Sequence, residues 1–136
     1  MKFIVYKILV AALLGWLAYI VMSLDEMPRL VIGCVLALAA LTMTIVSRVQ
    51  LGKAFTVRIV AKELVTTGDY SKIRHPMFLF VDLTLLGLII ISHLSFIIVV
   101  WFFFVSGQSV RAWKEEEVLT KAFGAEYEKY RSRTWF

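Results

Sequence analysis

Arg74, His75 and Pro76 stand at the mouth of one apolar run, and Arg111, Glu115 and Glu116 follow close behind another. Proline fixes its own φ and lacks the N–H that a first helical turn leaves unbonded, so it suits a helix start. It also disfavours helical backbone in the residue before it, His75. A helix opening sharply at Pro76 turns free backbone N–H groups and its positive dipole end toward a carboxylate. The His75 ring can add a donor. Glu115 and Glu116 lie about 100° apart on a helix, so one can face inward as an acceptor while the other makes a supporting contact. Arg111, one turn before Glu115, can pair with it or offer a bidentate fork to a carboxylate. Each feature has a plainer reading: Arg74 as a headgroup anchor flanking a membrane helix, and Lys114 to Glu117 as a solvated helix face.

The elements that must position these residues are strongly apolar. The chain has 136 residues, 60% of them hydrophobic, and a net charge of +5; its mean hydropathy is +0.81. Ordinary soluble domains are about half apolar. The length fits a single domain over residues 1–136. Cys34 has no second cysteine to pair with, and no metal site is expected. The aromatics sit mostly inside apolar runs, which argues against a nucleic-acid partner. Four apolar segments stand out: Phe3 to Ser23, Leu30 to Val46, Met77 to Ser92 and Leu94 to Gly107. The first two reach the roughly 20 residues a spanning helix needs, and the other two are short. Only Ser92 and His93 separate the third from the fourth, which predicts a tight helical hairpin. The fourth continues as a helix past Trp113. The opening segment is longer than a typical signal-peptide core, and no A-x-A site follows it.

Cations collect on one side: Lys2 and Lys7; Arg48, Lys53, Arg58, Lys62, Lys72 and Arg74; and Arg111 through Arg133. By the positive-inside rule that side is the cytoplasm. The expectation is an all-α, multi-pass membrane protein of about four spans, both termini cytoplasmic, with a cytoplasmic cap and a C-terminal helix. The middle connection, Arg48 to His75, holds enough apolar residues to be ordered, with a turn at Thr67-Gly68-Asp69. Val57 and Ile59 alternate with Arg58, as in a short strand or an interfacial helix. Val118, Leu119, Ala122 and Phe123 have helical spacing, and Gly124 marks a break. If the third and fourth segments form a hairpin, the Arg-His-Pro and Glu-Glu elements meet on one side.

In order and spacing these pieces resemble the integral-membrane methyltransferases, a family that includes the isoprenylcysteine carboxyl methyltransferases and the phospholipid N-methyltransferases. The residues that carry the resemblance are Leu64, Val65, Gly68 and Tyr70; Arg74, His75 and Pro76; Arg111, Glu115, Glu116 and Leu119; and Phe123, Gly124, Tyr127 and Tyr130. It runs from about Leu51 to the C-terminus, and the first two apolar segments carry no signature. The chain departs from the pattern at Asp69, where proline is usual, at Phe78, where tyrosine is usual, and at Phe80, where glycine is common.

The resemblance implies S-adenosylmethionine as methyl donor, bound by Tyr70, Arg74, His75, Pro76, Met77, Glu115 and Glu116, with Arg111 and Glu115 as catalytic residues. No G-x-G-x-x-G offers a soluble dinucleotide-type site instead. The acceptor is expected to be lipophilic, preferably a prenylcysteine-like carboxylate, with a phospholipid or other small-lipid amine as the alternative. Phe78, Phe80 and Asp82 are the expected acceptor-side residues, and Phe102 and Phe103 add apolar wall. Asp82 lies within the third segment, where an ionisable residue faces the protein interior or a cavity; a structural bond to a neighbouring helix suits it as well. Two other classes compete, a small four-helix transporter and a non-catalytic scaffold. A transporter would rest on Asp82 and leave the polar blocks outside the spans unexplained.

Overall fold

The first apolar segment folds into helix α1, Lys2–Met22, and the second into α2, Glu26–Leu51. The computed structural model describes residues 2–52, 64 and 66–134. Helix α2 starts ahead of Leu30, because Asp25, Glu26 and Pro28 all suit a first helical turn. A 3-10 turn at Gly68–Ser71 follows, then α3, Pro76–Ser92, α4, Ile97–Phe123, and α5, Ala125–Arg133. The described residues include no strand. The strand or interfacial helix expected around Val57 and Ile59 lies outside them.

Small residues set how the helices pack. Gly33, Ala37 and Ala40 form a buried stripe on α2 that meets Gly87 of α3. A Cβ added at Gly87 would lie 2.7 Å from the Ala37 backbone nitrogen, and one at Gly33 would lie 3.1 Å from the Gly87 carbonyl oxygen. Backbones approach this closely only where side chains are minimal, as at small-residue seams between membrane helices. Arg29 locks the far end of this pair. Its guanidinium donates to the Ile90 and Ile91 carbonyls, both at 2.9 Å. Carbonyls in a last turn lack helical partners, and a cation there suits the dipole. Arg29, in the first turn of α2, is thus a buried cap for α3.

Helix α1 packs on α4, and together they close over α3. The core joins Ala11, Ala18 and Met22 of α1, Leu86, Ile89 and Ile90 of α3, and Trp101 and Val105 of α4. The hairpin between α3 and α4 is tight as expected, with His93 in the left-handed region at φ 57°. Gly124, at φ 51°, ends α4 and lets α5 fold back.

Helices α1, over Ile4–Met22, and α2 are long and apolar enough to cross a bilayer. Leu9, Leu13, Trp16, Val35 and Leu38 face outward along them, which suits lipid. Helix α3 has 17 residues; at about 1.5 Å per residue it falls short of a hydrocarbon core of about 30 Å. In α4 the apolar half gives way to charge at Arg111. Of the four expected spans, the first two therefore meet the length and composition that crossing requires.

Asp69 replaces the proline expected after Gly68, and its bonds give it a local purpose. Its backbone N–H donates to Gln50 Oε1 at 2.7 Å, and its carboxylate accepts from the buried Ser47 hydroxyl at 2.9 Å. Gly68 holds φ 62°, with the Gln50 side chain 2.5 Å from where a Cβ would be. The turn is pinned to the end of α2, and Tyr70 is carried into the interior.

Candidate functional site

Pro76 opens α3 and leaves His75 at φ −127°, ψ 57°, off the helix and making no side-chain cap bond. The His75 ring therefore turns inward rather than back onto its own helix. It meets Glu116 of α4 across 41 residues of sequence, with Nε2 3.2 Å from Glu116 Oε1. Arg74 Nε lies 3.4 Å from the same oxygen. Glu115 points the other way and accepts from Arg111 Nε at 3.0 Å; the nearest approach of His75 Nδ1 to it is 3.9 Å. The expected division between the two glutamates is thus realised. Glu116 is the inward one, 5% exposed, while Glu117 is exposed and paired with Lys121 at 2.7 Å. The acidic run is solvated at one end and structural at the other.

Phe78 stacks on His75, with ring centroids 5.7 Å apart and planes 12° from parallel. The Arg111 guanidinium sits over the same ring at 5.7 Å. The ring links the two polar elements without the hydroxyl a tyrosine would bring. Tyr70 is buried, and its backbone carbonyl accepts from Tyr130 of α5 at 2.7 Å. Tyr127, 1% exposed, places its hydroxyl where it has no hydrogen-bond partner among the described residues. Burial pushes Tyr130 up to about 12, and Tyr70 and Tyr127 higher still. All three stay neutral donors.

Burial is the main influence on His75 and holds it below its ordinary value, despite the opposing bond to Glu116. For Glu116, burial raises the carboxyl, but the His75 bond and the Arg74 charge together outweigh it and the net direction is down. The pair is accordingly a neutral imidazole donating through Nε2–H to a carboxylate. Both groups bind protons more readily unfolded than folded, so acid destabilises through both. The His75 contribution is complete above its ordinary 6.5 and the Glu116 contribution above 4.5; each is lost as pH falls below. Unfolding free energy in detergent should therefore decline in two stages from about pH 7 downward. His75→Gln should erase the upper stage; its persistence would assign that stage to another group.

Beside His75 lies a cavity of about 30 Å³, lined by Lys7, His75, Phe78, Asp82, Gln108 and Ser109 together with apolar neighbours. Asp82 Oδ1 accepts from Gln108 Nε2 at 2.8 Å, and the Asp82 backbone carbonyl accepts from Trp101 Nε1 at 3.0 Å. Both readings of Asp82 hold: it bonds to α4 and faces a cavity. Met77 and Phe80 are half-buried on α3, and neither lines this cavity. Phe103 is 70% exposed and forms no wall, because α4 turns Phe102 inward and its neighbour then faces out. Phe102 lines a separate groove between α1 and α4. Lys7, Gln108 and Ser109 are the residues sequence reasoning missed. Lys7 reads as a flanking cation, yet it is 7% exposed on α1.

The chain matches the model of the phospholipid methyltransferase family over residues 28–126. The match reaches back through α2, which shows no signature by eye. No curated protein and no solved structure matches the chain.

Proposed function

The chain belongs to the phospholipid methyltransferase family, and from that premise we propose that it moves a methyl group from S-adenosylmethionine to the amine of a phospholipid headgroup. The observation that carries this reading is the buried His75–Glu116 contact at 3.2 Å, which joins the two motif elements inside the matched region. The family match favours the lipid amine over the prenylcysteine-like carboxylate. The reading includes a multi-pass topology with the site and both termini on the cytoplasmic side, in keeping with the distribution of lysine and arginine.

The donor set suits S-adenosylmethionine. Glu116 is a buried carboxylate able to accept from an ammonium or a ribose hydroxyl. The Tyr127 hydroxyl is buried and unspent. Arg74 and the first turn of α3 offer positive potential for a carboxylate. When bound, the sulfonium supplies an activated methyl group. Glu115 holds Arg111 over Phe78, whose ring stacks on His75 and lines the neighbouring cavity. The apolar surroundings favour a displacement in which the sulfonium loses charge, and positioning provides most of the rest. An amine acceptor has to be neutral when it attacks.

The test is calorimetric titration of the folded protein in lipid nanodiscs with S-adenosylmethionine and its demethylated product, followed by radiolabelled methyl transfer to phosphatidylethanolamine. Heat of binding and label in the lipid fraction are expected. No heat from folded protein would turn the reading toward a scaffold or a transporter.

A further inference from the structure

Outside the His75–Glu116 contact, the molecule holds a second polar group that the motifs do not contain. Lys7 of α1, Asp82 of α3 and Gln108 of α4 converge on the small cavity from three helices. Charged residues in apolar helices are costly and face protein or cavity. Gln108 spends its amide N–H on Asp82 Oδ1 at 2.8 Å. Its carbonyl oxygen Oε1 is buried with no hydrogen-bond partner among the described residues. One acceptor, Gln108 Oε1, is therefore unspent among the described residues, beside the Asp82 carboxylate and a space of about 30 Å³, room for one or two water-sized groups. An amine nitrogen with its hydrogens is such a group.

A larger apolar groove of about 530 Å³ runs between α1 and α4, lined by Ala11, Ala12, Gly15, Trp16, Trp101 and Phe102 among others. Ala11 and Trp101 line both spaces, so the two adjoin along α1. Lys7, Ala11 and Gly15 stand one turn apart on one face of that helix. The side chain is long and charged at the polar end, then small where the groove needs room.

We propose that Asp82 and Gln108 form the subsite for the acceptor amine of a single lipid, with Lys7 facing its phosphate and the α1–α4 groove taking its acyl chain. This rests on the functional reading above and deepens it by naming the residues that choose an amine. A carboxylate acceptor brought to the same cavity has no hydrogen to offer the Asp82 and Gln108 oxygens, whereas the N–H groups of an amine can donate to both, and Lys7 is left to the phosphate. Asp82, Gln108 and Lys7 are positioning residues for the acceptor, separate from the Arg74, His75 and Glu116 group.

Binding of phosphatidylethanolamine and of a prenylcysteine carboxylate to the whole protein in detergent, read by native mass spectrometry, tests this directly. Calorimetry with S-adenosylmethionine runs in parallel. Wild type should prefer phosphatidylethanolamine. Asp82→Asn and Gln108→Leu should each weaken that lipid by about tenfold, the loss of one charge-assisted or buried bond, and leave donor affinity unchanged. Gly15→Leu, which fills the groove against Ile98 and Trp101, should weaken long-chain lipid more than a short-chain analogue. Wild-type lipid affinity in both polar variants overturns the subsite, as does an equal loss of donor binding. Lipid discrimination without donor binding would sink the methyl-transfer reading and uphold the subsite.

Discussion

Glu116→Ala should remove about 3 kcal/mol of folding stability, the low end of what breaking a buried charge pair costs. The reason is the crowding on one oxygen: Arg74 at 3.4 Å and His75 at 3.2 Å both converge on Glu116 Oε1. Deleting the carboxylate removes the anion that lies 3.4 Å from the buried Arg74 guanidinium. Donor affinity should fall by a further 1–3 kcal/mol or so, the range for leaving a buried polar partner unsatisfied. Glu116→Gln keeps the shape and one acceptor oxygen and should recover most of the stability but little of the binding. Chemical denaturation in detergent gives the first number and calorimetry the second. A stable, tightly binding alanine variant would reduce the contact to an incidental one.

The other large effect lies away from the site. Gly87→Val should cost at least about 3 kcal/mol, at or beyond the usual range for overpacking. Its Cβ would sit 2.7 Å from the Ala37 nitrogen and 2.9 Å from the Ala37 Cα. Those are helix backbone atoms, which cannot rotate aside. Gly107→Ala is the control, since nothing lies within 4 Å of a Cβ there, and alanine should be neutral or slightly favourable in a helix. Thermal unfolding of the two variants side by side distinguishes a packing seam from a general intolerance of glycine replacement. Equal losses would remove the seam from the account.

The meeting of Arg-His-Pro with Glu-Glu was legible in the sequence because local rules decided it. Proline fixes where α3 starts, and the hairpin brings that start beside the polar end of α4. The i,i+4 pairing of Arg111 with Glu115 and the break at Gly124 follow from the same short-range geometry. What could not be read depends on which face a helix presents to a distant neighbour. A lysine at the head of an apolar helix looks the same whether it anchors headgroups or, like Lys7, turns into a cavity. The cap that Arg29 makes could not be read because its partners are carbonyls, which leave no mark in a sequence. Phe102 and Phe103 are equally apolar, and only the rotation of α4 decides which is a wall. Gly33 and Gly87 are isolated glycines whose shared purpose appears only once α2 and α3 are laid together.

The pairing of the helices gives the molecule a parting line. Helix α2 is fused to α3 along the glycine seam and the Arg29 cap, while α1 keeps company with α4. Among the described residues four hydrogen bonds of the candidate site bridge these two pairs: His75 to Glu116, Asp82 to Gln108, Trp101 to the Asp82 carbonyl, and Tyr130 to the Tyr70 carbonyl on the turn pinned to α2. The pairs thus form two jaws, joined through the chain at the α3–α4 hairpin. A displacement of one jaw along the parting line would lengthen all four bonds together.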